Sequence, residues 1–111
     1  MLPKKERLSR VAFNRFFSVG KRQHTPALQV VFVPDAGLHV SVVVSKKIAK
    51  LAVTRNLIRR RIYDIVRKFR TKKEVRGVFI FMVKSPVAKM KYEELKLEVL
   101  GALESILKKY N

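Results

Sequence analysis

The sequence predicts an α+β fold, a single-domain α/β sandwich in which helices pack on one sheet in the order α-β-β-α-β-α. Three observations carry this. The runs Val42 to Val44 and Val78 to Val83 are apolar at every position, as in strands buried on both faces. The segment between them repeats its apolar residues at helical spacing. The chain has 111 residues, 48% of them hydrophobic, which suits one core and one domain spanning residues 1–111. No internal repeat, low-complexity tract or domain boundary interrupts it.

Taken in order, Met1 to Arg7 is short and basic. Ser9 suits the cap of a helix that runs to about Val19 and ends at Gly20. On that helix Phe13, Phe16 and Phe17 fall within roughly 100° of one another, with Arg10 beside them. Lys21 to Pro26 reads as a loop. Leu28 to Val33 and Leu38 to Ser45 are strand candidates, and Pro34-Asp35-Ala36-Gly37 between them has hairpin-turn chemistry. The second strand is apolar on both faces near its end, as in a central strand. Thr71 to Arg76 is a charged loop. Val78 to Val83 is a central strand, ended by Ser85-Pro86. Tyr92 to Tyr110 is the last helix, with Leu95, Val99, Ala102, Leu103 and Ile106 on one face. The two apolar strands flanking the middle helix are most simply parallel, with that helix as their crossover.

The middle helix carries the chemistry. Thr54 is its candidate N-cap. Ile58, Ile62, Ile65, Val66 and Phe69 share an arc of roughly 100°. Arg55, Asn56, Arg59, Arg60, Tyr63 and Arg67 occupy the adjoining arc of roughly 140°, with Tyr63 near its middle. Asp64 is the only acid on the helix and lies off this arc. Arg55 falls in the first turn, where the helix dipole disfavours a cation, so it calls for a partner. A solvated basic face would mix both signs of charge. This one does not.

The whole chain repeats that imbalance. It has 26 Lys and Arg against 8 Asp and Glu, a formal net charge of +18. Such a charge makes sense mainly with a polyanionic partner, and nucleic acid is the first choice. The basic residues are spread over several elements, which disfavours a membrane surface. No apolar run spans a bilayer and no signal-peptide core follows the N-terminus, so the expected location is the cytoplasm. The absence of cysteine excludes disulfides, zinc–thiolate sites and thiol catalysis. His24 and His39 lack a local acid to orient them as bases. Glu93 and Glu94 suit the start of the last helix. No phosphate loop or metal-ligand spacing occurs. The residues alone indicate a nucleic-acid-binding domain without catalytic side chains, and leave RNA or DNA open.

The stretch VSKKIAKLAVTRNLIRRRI resembles the signature of the bacterial ribonuclease P protein subunit. The resembling positions are Ser45, Lys46, Lys47, Ala52, Val53, Arg55, Asn56, Arg59 and Arg60. Leu8-Ser9-Arg10, the Phe13/Phe17 pair, Lys84-Ser85-Pro86 and Tyr92-Glu93-Glu94-Leu95 follow the family's order over nearly the whole chain. Where the family often has a further basic residue one turn after the pair, Tyr63 stands, and Arg61 and Arg67 are the candidates to supply that charge. The resemblance implies a fold similar to a ribosomal protein domain, with a left-handed βαβ crossover that general handedness rules would not predict. It implies a protein that binds a large catalytic RNA and helps it remove the 5′ leader of precursor tRNA. The RNA would perform the hydrolysis with Mg²⁺ that it holds itself, the protein alone binding no cofactor and needing no obligate protein partner.

The expected contacts with the catalytic RNA are therefore Lys46, Lys47, Arg55, Asn56, Arg59, Arg60, Tyr63 and Arg67, with Tyr63 free to stack on a base. An alternative places the Tyr63 ring over arginine stems. The expected leader cleft is lined by Arg10, Phe13, Phe17 and Phe32, with Arg15 and Lys46 as neighbouring charge and Phe16 as the anchor of its helix. The alternative there is that all three phenylalanines of the helix are core. Two other functions fit the charge. A structural ribosomal protein lacks the Arg-Asn helix after a Ser-Lys-Lys strand, and a major-groove DNA reader would follow another helix, not a strand.

Overall fold

In a computed structural model that describes residues 10–110, the chain runs α1 (Arg10–Val19), β1 (Lys21–His24), β2 (Leu28–Val33), β3 (Leu38–Val43), α2 (Ala52–Arg70), β4 (Gly77–Val83), a 3₁₀ turn (Ser85–Lys89) and α3 (Tyr92–Tyr110). Ser9 and the basic segment before it lie outside the described residues. The sheet order is β1-β2-β4-β3. β4 is antiparallel to β2 and parallel to β3, which fits α2 as the connection between parallel neighbours.

Three expectations need correcting. Lys21 to His24 is not loop but an edge strand paired to β2. Its residues, Lys-Arg-Gln-His, are mostly exposed and carry no apolar signal, so its main-chain pairing alone makes it a strand. β2 and β3 do not form a hairpin, because β4 lies between them. The loop from Pro34 to Gly37 therefore crosses two strand spacings, roughly 10 Å. It is held by Asp35, whose carboxylate accepts the Gly37 amide at 3.1 Å, and by the Gly77 amide donating to the Gly37 carbonyl at 2.8 Å. β3 is consequently an edge strand and not a central one. Its Leu38, Val40 and Val42 are buried, while His39, Ser41 and Val43 are half-exposed.

Alternation then assigns the two faces. One face, with Val30, Phe32, Val40, Val42, Phe79 and Phe81, is covered by α2 and α3 and forms the main core. Ile58, Ile62, Ile65 and Val66 of α2 join it, as do Leu95, Val99, Ala102, Leu103 and Ile106 of α3. Glu98 fastens α3 to the β1–β2 turn, accepting from the Thr25 hydroxyl at 2.5 Å and the Ala27 amide at 2.8 Å. Gly77 is required here. Its φ is +124°, and a Cβ would lie 2.4 Å from the Phe32 ring.

The opposite face carries Gln29, Val31, Val33, Ile80 and Met82, and α1 packs on its β2 and β4 strands. Gly20 ends α1 as expected, but for a reason other than a left-handed cap. A Cβ there would come within 2.2 Å of Val31 Cγ1, so glycine permits the helix end to rest on the sheet. α1 covers part of this face and leaves the rest open.

Candidate nucleic-acid interface

α2 begins at Ala52, not after Thr54. Leu51 occupies the cap position in an extended conformation, and no side chain caps the helix. Arg55 does not replace that cap but braces the turn that leads into the helix. Its Nη1 donates to the carbonyls of Ala49 at 3.0 Å and Lys50 at 2.8 Å. The partner that its dipole-unfavourable position called for is thus the turn before the helix. That turn follows β3, and the Ser45 carbonyl accepts the amides of Ile48 and Ala49. It exposes Lys46 and Lys47.

One turn into α2, Arg59 donates to the Asn56 Oδ1 at 2.7 Å. Asn56 and Arg60 are exposed and Arg59 is half-exposed. Residues three and four apart on a helix are neighbours, so these three form one surface. Among the described residues, no acid pairs with Lys46, Lys47, Arg55, Arg59 or Arg60. The structure therefore brings six of the eight expected RNA contacts onto the turn and the first turns of α2.

The other two differ. Tyr63 is in the core, 9% exposed. The helical projection placed it among arginines, but the buried arc of α2 is roughly 160° wide at about 100° per residue. It extends from Ile65 to Tyr63, because the helix is covered from more than one direction. Arg67 lies about 10 Å along the axis from Arg60 and is bound to Asp64 at 2.7 Å. Lys68 holds the second oxygen of the same carboxylate at 3.1 Å. These two cations keep the Asp64 carboxyl at about 2, below its usual value of 3.8. The Lys68 ammonium is raised in turn. Arg67 thus already has a carboxylate partner, which it shares with Lys68, and Arg61 points away from the Arg59 side of the helix by roughly 160°.

A second surface lies between α1 and the open part of the sheet. The Phe13 and Phe17 rings stack at 5.6 Å with 20° between their planes. Both are half-exposed. Arg22 of β1 stands 4.5 Å over the Phe17 ring and donates to the Phe17 carbonyl at 3.1 Å. Arg15 stands over Phe16 at 5.5 Å. Arg10 opens α1, and its side chain is outside what the structure describes.

Phe32 does not join this surface. It is 2% exposed, stacks on Tyr110 at 5.5 Å and lies 5.1 Å from Phe79, all on the α3 side. One residue of parity separates the two readings. Polar or partly exposed residues on the α1 side include Arg22 and His24 of β1, Gln29, Met82, and His39, Ser41 and Val43 of β3. Arg22 was missed because its segment was read as loop. Gln29 and Met82 were legible as the positions alternating with the apolar core face. Among the described residues, no group of three His, Asp or Glu side chains is placed to hold a metal ion. No described helix is long and apolar enough to cross a membrane.

Known proteins with the same arrangement agree with one another. The family model "Ribonuclease P" matches residues 2–109. The ribonuclease P protein component of Synechococcus sp. (strain JA-2-3B'a(2-13)) is 31% identical over 111 residues, covering 94% of this chain and 84% of that protein. That of Picosynechococcus sp. is 41% identical over 64 residues, which span 55% of each chain. The Staphylococcus aureus RNase P protein structure superposes with a TM-score of 0.77 at 22% identity, over 96% of this chain and 98% of that one. The Thermotoga maritima RNase P protein gives 0.80 at 20%, over 90% and 96%. Those two likenesses establish the α+β fold, and the sequence matches over nearly the full length establish the family: the chain belongs to the ribonuclease P proteins.

Proposed function

We propose that this chain holds the catalytic RNA of ribonuclease P on the face formed by Lys46, Lys47, Arg55, Asn56, Arg59 and Arg60. Family membership makes it the protein component of that enzyme, which matures the 5′ end of tRNA. The observation that carries the assignment is the run of cations, on one turn and one helix start, with no acid paired to them among the described residues. Phosphates are their natural counter-charges, and Arg59, oriented by Asn56, presents a fork suited to them. Arg55 acts from below, fixing the turn against the helix.

The 5′ leader of precursor tRNA lies, in this reading, across the open sheet face beside Phe13 and Phe17. Single-stranded RNA binds where stacking surfaces adjoin positive charge, and Arg22 and Arg15 supply that charge. Hydrolysis belongs to the RNA subunit and the Mg²⁺ it holds, and the protein contributes binding. The complex works in the cytoplasm. The ribosomal-protein alternative shares charge and fold but not the family match.

The test is cleavage of precursor tRNA by a bacterial ribonuclease P RNA at low Mg²⁺. Adding this protein restores cleavage if the reading holds. Cleavage that stays absent at saturating protein contradicts it.

A further inference from the structure

Round α2 from Arg59, by roughly 80–120° in helical projection to Phe69 and Ile65, a groove separates α2 from α3. Ile65, Phe69, Tyr92 and Leu100 line it, and Lys68, Lys72 and Lys96 surround it. It holds about 120 Å³. This surface is apart from both the arginine face and the open sheet face.

Its walls are firm. Ile65 is buried, and Phe69, Tyr92 and Leu100 pack against the core cluster. The Tyr92 hydroxyl donates to Asp64 at 3.3 Å, and the same carboxylate holds Lys68. Lys68 is thus already paired. Lys72 and Lys96 are not: among the described residues their ammonium groups have no ion pair or side-chain hydrogen bond. Among the described residues, no acid lines the groove.

Lysine stems often cover apolar surface with their charges dispersed in water. Here two unpaired lysines, one from the loop after α2 and one from α3, border a single slot with aromatic walls. Apolar walls select a flat ring, and the two ammonium groups select an anion attached to it. We propose that this groove binds one unpaired nucleotide of RNA, its base against Phe69 and Tyr92 and its phosphate at Lys72 and Lys96. It would give the protein a third point of RNA contact, between α2 and α3 and round the helix from Arg59. The proposal does not depend on the arginine face binding RNA.

The experiment is an amide NMR titration of the whole chain with adenosine 5′-monophosphate, adenosine and inorganic phosphate, at constant ionic strength. The monophosphate should shift the amides of Phe69, Lys72, Lys96 and Leu100 saturably. Its affinity should exceed that of phosphate or adenosine by about tenfold, within the range one stacked base contributes. Lys72→Ala with Lys96→Ala should weaken it by about tenfold while resonances elsewhere stay in place. Equal shifts from phosphate alone, shifts centred on the arginine face, or an unaffected double variant would overturn the proposal.

Discussion

Arg55 donates from the first turn of α2 to the carbonyl of Ala49, 3.0 Å away, and the same nitrogen reaches Lys50 at 2.8 Å. A cation at a helix start is unfavourable by itself. These two carbonyls offset that cost and fasten the turn carrying Lys46 and Lys47 to the helix carrying Arg59. Arg55→Ala should therefore lower stability by about 1–2 kcal/mol in urea melts, below the roughly 1.5–3 kcal/mol of hydrogen bonds to charged groups because Arg55 is half-exposed. Arg55→Lys should restore only part of it. Unchanged stability in both variants would remove this bracing role.

Tyr63 tests the width of the buried arc. At 9% exposure, Tyr63→Ala should cost about 3 kcal/mol in unfolding free energy. At temperatures where the variant remains folded, the salt dependence of RNA binding should match the parent's. A variant that melts normally but binds RNA poorly would return the ring to the surface.

Asp64 sets an acid limb to stability. Its folded value of about 2 lies below the usual 3.8 because Arg67 and Lys68 bind its ionised form. The contribution is fully present above pH ~4 and is lost as pH falls through about 2. The pair is partly exposed, so the effect is discounted to about 1 kcal/mol. Asp64→Asn should lower stability by that amount at neutral pH and should flatten the decline between pH 4 and 2 relative to the parent. Parallel curves for parent and variant through that window would contradict the assignment.

Phe17 and Phe32 lie on opposite faces of the sheet and should fail differently. With catalytic RNA present, Phe17→Ala should weaken precursor tRNA binding by roughly 1–3 kcal/mol and leave mature tRNA nearly unaffected, since only the precursor has a leader. Phe32→Ala should instead lower unfolding free energy by about 3–5 kcal/mol. Equal losses for both tRNAs with Phe17→Ala would assign that ring to structure alone.

Helices and the central strand were legible because each buries a continuous apolar face: α3 runs Tyr92–Tyr110, as its spacing predicts. The resemblance motif likewise located the Ser45-to-Arg60 surface. What escaped was decided by non-local pairing. β1 has no apolar signature, since the β2 edge defines it. β4 separates β2 from β3, and no local feature of Pro34 to Gly37 encodes that insertion. The face occupied by Phe32 follows from strand parity relative to α3, and the depth of Tyr63 follows from packing on two sides of α2. A wheel drawn for one helix contains neither.

The central claim is that Arg59 and Arg60 meet phosphates of the catalytic RNA. Its most direct test is the dissociation constant of the protein–RNA complex, measured across a salt series for the parent and for Arg59→Ala with Arg60→Ala. Each lost phosphate contact should reduce the slope of log affinity against log salt by about one, so the double variant should bind more weakly and with a slope shallower by about two. A double variant with the parent's affinity and the parent's slope would contradict the account.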